Sequence, residues 1–325
     1  MRPTGKLHLG NYMGALYNWV RLQHEYNCYF FIADWHALTT DYADTTNLRE
    51  NTVDVALDWL AAGLDPERSV LFVQSLVPQH AELHLLLSMI MPLGWLERVP
   101  TYKEQQQQIT EKDLTTYGFL GYPLLMATDI LIYQADFVPV GQDQVAHVEV
   151  TREVARRFNH FYSGSSGTAI LPEPQVLLTA SPKVPGLDGR KMSKSYGNTI
   201  LLREEPDAVA AKLKTMQTDP ARVRRTDPGD PEKCPVWDLH KLYSDDATRA
   251  WVDHGCRSAS IGCLECKAPL IERIVEEVSG MRKRAQEFQE NPEMVANILI
   301  EGGEKARAAA RATLDEVRRA MHLRP

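Results

Sequence analysis

Two runs of apolar and aromatic character, residues 29–33 (Tyr-Phe-Phe-Ile-Ala) and 69–74 (Ser-Val-Leu-Phe-Val-Gln), stand either side of a segment whose apolar residues recur at helical spacing. Such runs suit strands buried on both faces, because a strand with one wet face alternates polar and apolar residues. Between them Val53, Leu57, Leu60 and Ala61 share one helical face, Thr45 or Thr46 can cap the helix, and Gly63 with Pro66 beyond ends it. Strand, helix, strand at this spacing dictates a right-handed crossover and a parallel sheet. Helices are expected at about 79–91 and 121–134, then a strand at 136–140 leading through Gly141 into a helix over 143–158. The α/β pattern persists to about residue 200. Beyond Glu204 the apolar positions recur at helical spacing, around 208–216, 270–288 and 306–321. The expectation is an α/β fold: a doubly wound parallel sheet over residues 1–200 and an all-helical domain over 201–325.

Composition removes several classes. A chain of 325 residues with 44% hydrophobic content buries a substantial core, which excludes intrinsic disorder. With 36 Lys and Arg against 43 Asp and Glu, the net charge of −7 excludes wrapping nucleic acid by uniform positive charge, so a polyanion must meet a local basic patch. The longest apolar stretches, 83–96 and 117–133, are interrupted by His84 and Pro92 or by Asp129, and fall short of a bilayer span. No basic region followed by an apolar stretch opens the chain, so a reducing, cytoplasmic compartment is expected. Five cysteines are too few for a disulfide scaffold.

Two loops carry chemistry. Residues 3–12 (Pro-Thr-Gly-Lys-Leu-His-Leu-Gly-Asn-Tyr) run into an apolar helical pattern at Met13, Leu16, Trp19 and Val20. Helix N-termini offer free N–H groups and a positive dipole end, glycine lets a phosphate approach, and His8 and Asn11 project there as donors. Residues 186–195 (Gly-Leu-Asp-Gly-Arg-Lys-Met-Ser-Lys-Ser) bring three cations and two hydroxyls into one glycine-flanked loop, suited to a triphosphate whose charge redistributes during displacement. Each loop alone reads as ordinary surface, and no P-loop occurs.

Taken together, the His-Leu-Gly-Asn element and Lys191-Met192-Ser193-Lys194-Ser195 resemble the two ATP motifs of class I aminoacyl-tRNA synthetases. The strings at 33–39, 122–131, 138–144 and 218–220 narrow the resemblance to bacterial tryptophanyl-tRNA synthetases, over essentially the whole chain. The resemblance implies a Rossmann-like catalytic domain and a tRNA(Trp) anticodon-binding helical domain, in a homodimer. It implies that the tryptophan carboxylate attacks the α-phosphate of Mg-ATP, giving tryptophanyl-adenylate and pyrophosphate before transfer to tRNA, with positioning and charge stabilisation supplying the catalysis. Lys191, Lys194, Ser195, His8 and Asn11 would be the catalytic groups. ATP would meet Arg2, Pro3, Thr4, Gly10, Asn11, Gly141, Gln142, Asp143, Val184 and 191–195; Gln142 stands where the family more usually has an acidic residue. L-tryptophan would meet Asp129, Tyr122, Met126, His36 and Gln144.

Asp129 supports this independently. In Leu-Leu-Met-Ala-Thr-Asp-Ile-Leu-Ile a helix is apolar almost all round, and an ionised carboxylate there needs a donor, an indole N–H or a neighbouring group of the protein. The family also places a short strand and Ser-Gly before the residue matching Arg2, so the resemblance implies a missing first strand and a natural chain that starts upstream of Met1.

Cys234, Cys256, Cys263 and Cys266 read as C-x21-C-x6-C-x2-C. Four thiols in a reducing compartment argue for a shared metal centre, and sulfur ligation suits zinc or an iron–sulfur cluster. Some tryptophanyl-tRNA synthetases carry a [4Fe–4S] cluster on this segment at similar spacing, so the resemblance implies a cluster, with Zn2+ the alternative. Arg222, Arg224, Arg225, Arg282, Lys283 and Arg284 are candidate phosphate contacts. A tyrosine-specific class I relative and a non-catalytic tRNA- or tryptophan-binding regulator are the rival functions.

Overall fold

The computed structural model describes residues 1–108, 112–163, 167–179 and 182–323. Strand β1 (Cys28–Ile32) pairs in parallel with β2 (Ser69–Val73), Cys28 opposite Ser69 and Ile32 opposite Val73. The crossover helix is Leu48–Ala62, ended by Gly63 at φ 107°, a conformation that favours glycine. It starts later than Thr45 or Thr46 allow: Thr46 N is held by Asp44 Oδ1 at 3.0 Å, and neither threonine caps it. Nor is its apolar face single. Val53 is exposed, while every residue from 55 to 62 is buried, because the helix Cys263–Glu290 covers the side turned away from β1.

A second parallel pair joins β3 (Phe137–Val140) to β4 (Gln175–Leu178), Phe137 opposite Gln175. β4 has only four residues behind Pro-Glu-Pro and carries too little periodicity to be foreseen. The parallel strands thus form two pairs rather than one continuous sheet among the described residues. Beside β1, Met1 adds one residue of pairing: its amine donates to Phe31 O at 2.6 Å, and its carbonyl accepts from Ala33 N at 2.8 Å. β1 is not buried on both faces. Tyr29 remains partly exposed and stacks on Tyr133 at 4.7 Å between ring centroids.

The helices expected at 79–91 and 121–134 are Gln79–Ser88 and Tyr117–Leu131, and Asp143 lies in a 3₁₀ turn ahead of the helix Val145–Tyr162. After residue 200 the chain is helical: Pro206–Thr215, Pro235–Tyr243, Asp246–Arg257, Cys263–Glu290 and Pro292–Ala320. The core ignores a boundary at 200. Pro292–Ala320 lies on β2 so closely that a Cβ on Gly302 would sit 1.8 Å from Leu71 O, and one apolar cluster runs from Leu7 through Trp59 to Leu299. Among the described residues no helix is long and apolar enough to cross a membrane.

Candidate active site

The two glycine-bearing loops meet through backbone pairing. Leu9 N donates to Ile200 O at 3.0 Å and Leu202 N to Leu7 O at 3.1 Å, setting the first loop against the segment that follows the second. Beneath this junction Asp58, 1% exposed, accepts Leu7 N at 2.6 Å and Arg203 Nε at 2.5 Å, while Arg203 Nη2 reaches Asp54 Oδ1 at 2.7 Å. Burial raises the Asp58 carboxyl above its ordinary value against the pull of Arg203. A charged residue inside Ala-Leu-Asp-Trp-Leu was the available signal for Asp58; nothing near Arg203 marked it.

Across the junction Lys194 Nζ donates to Thr4 O at 2.7 Å, and burial lowers its ammonium from the usual lysine range. Gly10 leaves room where it is needed, since a Cβ there would come within 2.9 Å of the His8 ring. His8 is buried, and that burial, with Lys194 and Lys191 nearby, lowers its imidazole to about 4, so it stays neutral at pH 7. Its Nδ1 is buried with no hydrogen-bond partner among the described residues. Asn11 Oδ1 turns back to accept His8 N at 3.1 Å, so only its amide N–H groups serve as donors to a ligand.

The second loop is shaped by Asn198, unmarked by any motif. Its Oδ1 accepts Ser193 N at 2.8 Å, and its Nδ2 donates to Asp188 Oδ1 at 2.6 Å. Met192 is buried, and its N donates to Val184 O at 3.0 Å, while the Ser193 and Ser195 hydroxyls lie 2.8 Å apart. The three cations are not equivalent. Arg190 is held by Asp188 at 2.6 Å and lies 4.1 Å over the Tyr196 ring, whereas Lys191 is exposed and Lys194 crosses to Thr4.

Near the chain start, Arg2 donates to Thr40 Oγ1 and to Asp41 Oδ2, the latter at 2.9 Å. Pro3, Thr4, Thr40, Asp41, Asn51 and Lys112 line a cavity of about 550 Å³. Gln142 and Asp143 are exposed after β3 in a turn closed by Gln144 N on Gly141 O at 3.0 Å, and Gln142 borders a second cavity of about 570 Å³.

Tyr122, Met126 and Asp129 fall on one face of Tyr117–Leu131, as i, i+4 and i+7 spacing requires. The donors for Asp129 come from the protein. His36 Nε2 lies 2.8 Å from Oδ2, His80 Nδ1 2.6 Å from Oδ1, and Gln74 Nε2 reaches both oxygens at 2.8 and 2.9 Å. Burial acts to raise the Asp129 carboxyl, but the His36 and His80 hydrogen bonds outweigh it and bring the group down to about 2. Tyr122 OH is 3.3 Å from His147 Nε2, and Gln144 turns its amide to Asp143 Oδ2 at 2.8 Å. Gln74, His80 and His147 carry no motif; their only signal is a polar residue in an otherwise apolar neighbourhood.

In the helical part Cys234 precedes Pro235–Tyr243, Cys256 lies in Asp246–Arg257, and Cys263 and Cys266 open Cys263–Glu290. All are half-buried free thiols. Burial, then the charges of Cys234, Cys256 and Cys263, push the Cys266 thiol up to about 12, so the four sulfurs share one electrostatic neighbourhood. Cys266 Sγ is 3.5 Å from His240 Nε2, and Arg222 Nη1 lies 3.8 Å from Cys256 Sγ. Among the described residues no three His, Cys, Asp or Glu side chains form a metal-binding group. One of the candidate phosphate contacts serves the fold instead: Arg222 is buried and bonds Arg225 O and Ile261 O at 2.9 and 2.6 Å, while Arg284 stays exposed with its Nε on Ala61 O at 2.7 Å.

Residues 1–312 match the family profile described as tRNA synthetases class I (W and Y). The chain is 53% identical to the tryptophan–tRNA ligase of Ralstonia nicotianae over a 388-residue alignment covering 99% of this chain and 97% of that protein. It is 52% identical to the tryptophan–tRNA ligase of Thermotoga maritima, covering 99% and 98%. Among solved structures, tryptophanyl-tRNA synthetase from Campylobacter jejuni, complexed with ADP and tryptophan, superposes with a TM-score of 0.86 at 32% identity, covering 99% and 98%.

Proposed function

The chain belongs to the class I tRNA synthetases of the tryptophan and tyrosine group, and from that premise we propose that it is a tryptophan–tRNA ligase. It activates L-tryptophan with Mg-ATP and transfers the tryptophanyl group to tRNA(Trp). The observation that carries this reading is the joining of the two phosphate-side loops by the Leu7–Leu202 and Lys194–Thr4 contacts, with the buried Asp129 as the selecting group. Residues 1–200 serve ATP and tryptophan, and residues 201–325 serve the anticodon.

In the activation step a tryptophan carboxylate oxygen bonds to the α-phosphorus as the bond to the bridging β-oxygen breaks, and pyrophosphate leaves with the electron pair. Lys194 and Lys191 take the growing charge on the leaving group, with Ser195 beside them and Arg190 withdrawn from that role by Asp188. His8 is a neutral hydrogen-bonding group whose buried Nδ1 has no partner among the described residues, and Asn11 donates from its amide. Arg2, Pro3, Thr4, Gly10, Gly141, Gln142, Asp143, Val184, Met192 and Ser193 shape the nucleotide site. Tyr122, Met126, His36 and Gln144 surround the indole, whose N–H bonds Asp129. A site built around a buried acceptor rejects side chains lacking the donor far more strongly than a site that measures size.

ATP–pyrophosphate exchange with tryptophan and tyrosine in parallel tests this. Tryptophan-dependent exchange alone is expected; tyrosine-dependent exchange would make it the tyrosine-specific relative, and no exchange with either would make it a binding regulator.

Cys234, Cys256, Cys263 and Cys266 are proposed to hold a [4Fe–4S] cluster, with Zn2+ the alternative. Support comes from their all-sulfur donor set and shared neighbourhood, although the thiols must lose their protons and draw together to bind. Such a centre ties the start of Cys263–Glu290 to the two helices before it. Anaerobically purified protein should absorb near 400 nm and carry about four irons per chain; zinc without iron overturns the cluster. A homodimer is supported by Leu85, Met89 and Leu93, apolar, exposed and four residues apart, and light scattering should give twice the chain mass.

A further inference from the structure

We propose that Gln74 and His80 are positioning residues for tryptophan selection: they orient the Asp129 carboxylate so that its Oδ2 position, met by His36 in this structure, passes to the indole N–H. This rests on the reading of Asp129 as the indole acceptor.

A carboxylate has about four acceptor positions, and four contacts from three side chains already meet Asp129. The three side chains differ in freedom. Gln74 and His80 are 0% exposed, whereas the His36 side chain keeps 14% of its surface open. Gln74 bridges both carboxylate oxygens with one amide nitrogen and so opposes rotation of the group. His80 holds Oδ1, and its other ring nitrogen lies 2.7 Å from Tyr133 OH. An ionised carboxylate only accepts, so Nδ1 of His80 donates to Asp129, and Nε2 shares its hydrogen bond with Tyr133 OH. Tyr133 is fixed in turn by stacking on Tyr29 and by edge contact with Phe72 at 5.8 Å. Neither Gln74 nor His80 can yield without opening the core.

His36 can yield. It stands on the first turn of Asp34–Asp41, and its Nε2–Oδ2 bond comes from the least buried of the three partners. Exchange of an imidazole N–H for an indole N–H keeps the buried charge solvated by the same number of donors. A ligand without that N–H displaces His36 and returns nothing, which leaves a buried acceptor unmade.

The test uses ATP–pyrophosphate exchange with tryptophan and with its analogue carrying sulfur in place of the indole N–H. Gln74→Glu sets a second carboxyl within hydrogen-bond reach of Asp129, and the two must share a proton. We expect KM for tryptophan to rise about tenfold or more and to become pH-dependent between about pH 5 and 8, with KM for ATP changed less than about twofold. Gln74→Met and His80→Phe should each lower the preference for tryptophan over the analogue about tenfold. Asp129→Asn separates the two layers. If it leaves that preference intact, the reading of Asp129 fails. If it abolishes the preference while the Gln74 and His80 variants keep both it and the wild-type pH profile, this proposal fails alone.

Discussion

Replacing Arg203 by methionine keeps an unbranched apolar stem, shorter than that of arginine, and removes the charge beneath the two loops. Asp58 then retains only the Leu7 N–H, and Asp54 loses its contact at 2.7 Å. Left ionised and unpaired, a carboxylate 1% exposed costs about 3–5 kcal/mol. Asp58 has an escape, since it can take a proton, and that sets a ceiling. From an ordinary value of 3.8, protonation at pH 7 costs 3.2 units at 1.36 kcal/mol each, about 4.4 kcal/mol; at pH 5 it costs 1.2 units, about 1.6 kcal/mol. The defect should therefore be about 4 kcal/mol at pH 7 and less than half that at pH 5. In the wild type the raised Asp58 value lets the folded protein take up protons in acid as well, so the gap narrows somewhat less than this arithmetic gives. Urea unfolding of the wild type, Arg203→Met, Asp58→Asn and the double variant at both pH values measures this, and the double variant should recover most of the loss. Because Asp58 also holds the Leu7 peptide, Arg203→Met should raise KM for ATP more than KM for tryptophan. A loss below about 1 kcal/mol at pH 7, or an equal loss at both pH values, refutes the account of this cluster as a buried clamp.

Lys194→Ala should slow adenylate formation about a hundredfold in single-turnover experiments with little change in tryptophan affinity, and an unchanged rate removes Lys194 from the chemistry. His8 gives a pH signature whose sign follows from its lowered value. The unfolded chain binds its proton near 6.5 and the folded protein only near 4, so the stabilisation is complete above 6.5 and is lost as pH falls toward 4. About 2 kcal/mol should disappear between pH 7 and 5 and be missing from the pH dependence of His8→Gln; equal slopes for the two proteins contradict it.

Much of this molecule is written in local pattern. The runs at 29–33 and 69–74 require the parallel pair, and the apolar setting of Asp129 requires donors, because period and burial are properties of neighbouring residues. The two loops and the four cysteines could likewise be read as groups from spacing and chemistry. What could not be read is who answers whom. The donors to Asp129 come from His36, Gln74 and His80, separated from it by 93, 55 and 49 residues; His36 is marked only through the family resemblance, and Gln74 and His80 look ordinary where they stand. In sequence Arg190 reads as a third phosphate cation, yet Asp188 and Tyr196 hold it; Arg222 reads as a phosphate contact, yet its guanidinium bonds Ile261 O. The boundary at residue 200 likewise follows a real change of period, yet Gly302 lies on Leu71 and carries the last helix back to the first strands. A charged or polar group announces in sequence that it needs a partner; which partner it finds depends on closing loops of fifty residues and more, and no local period records that.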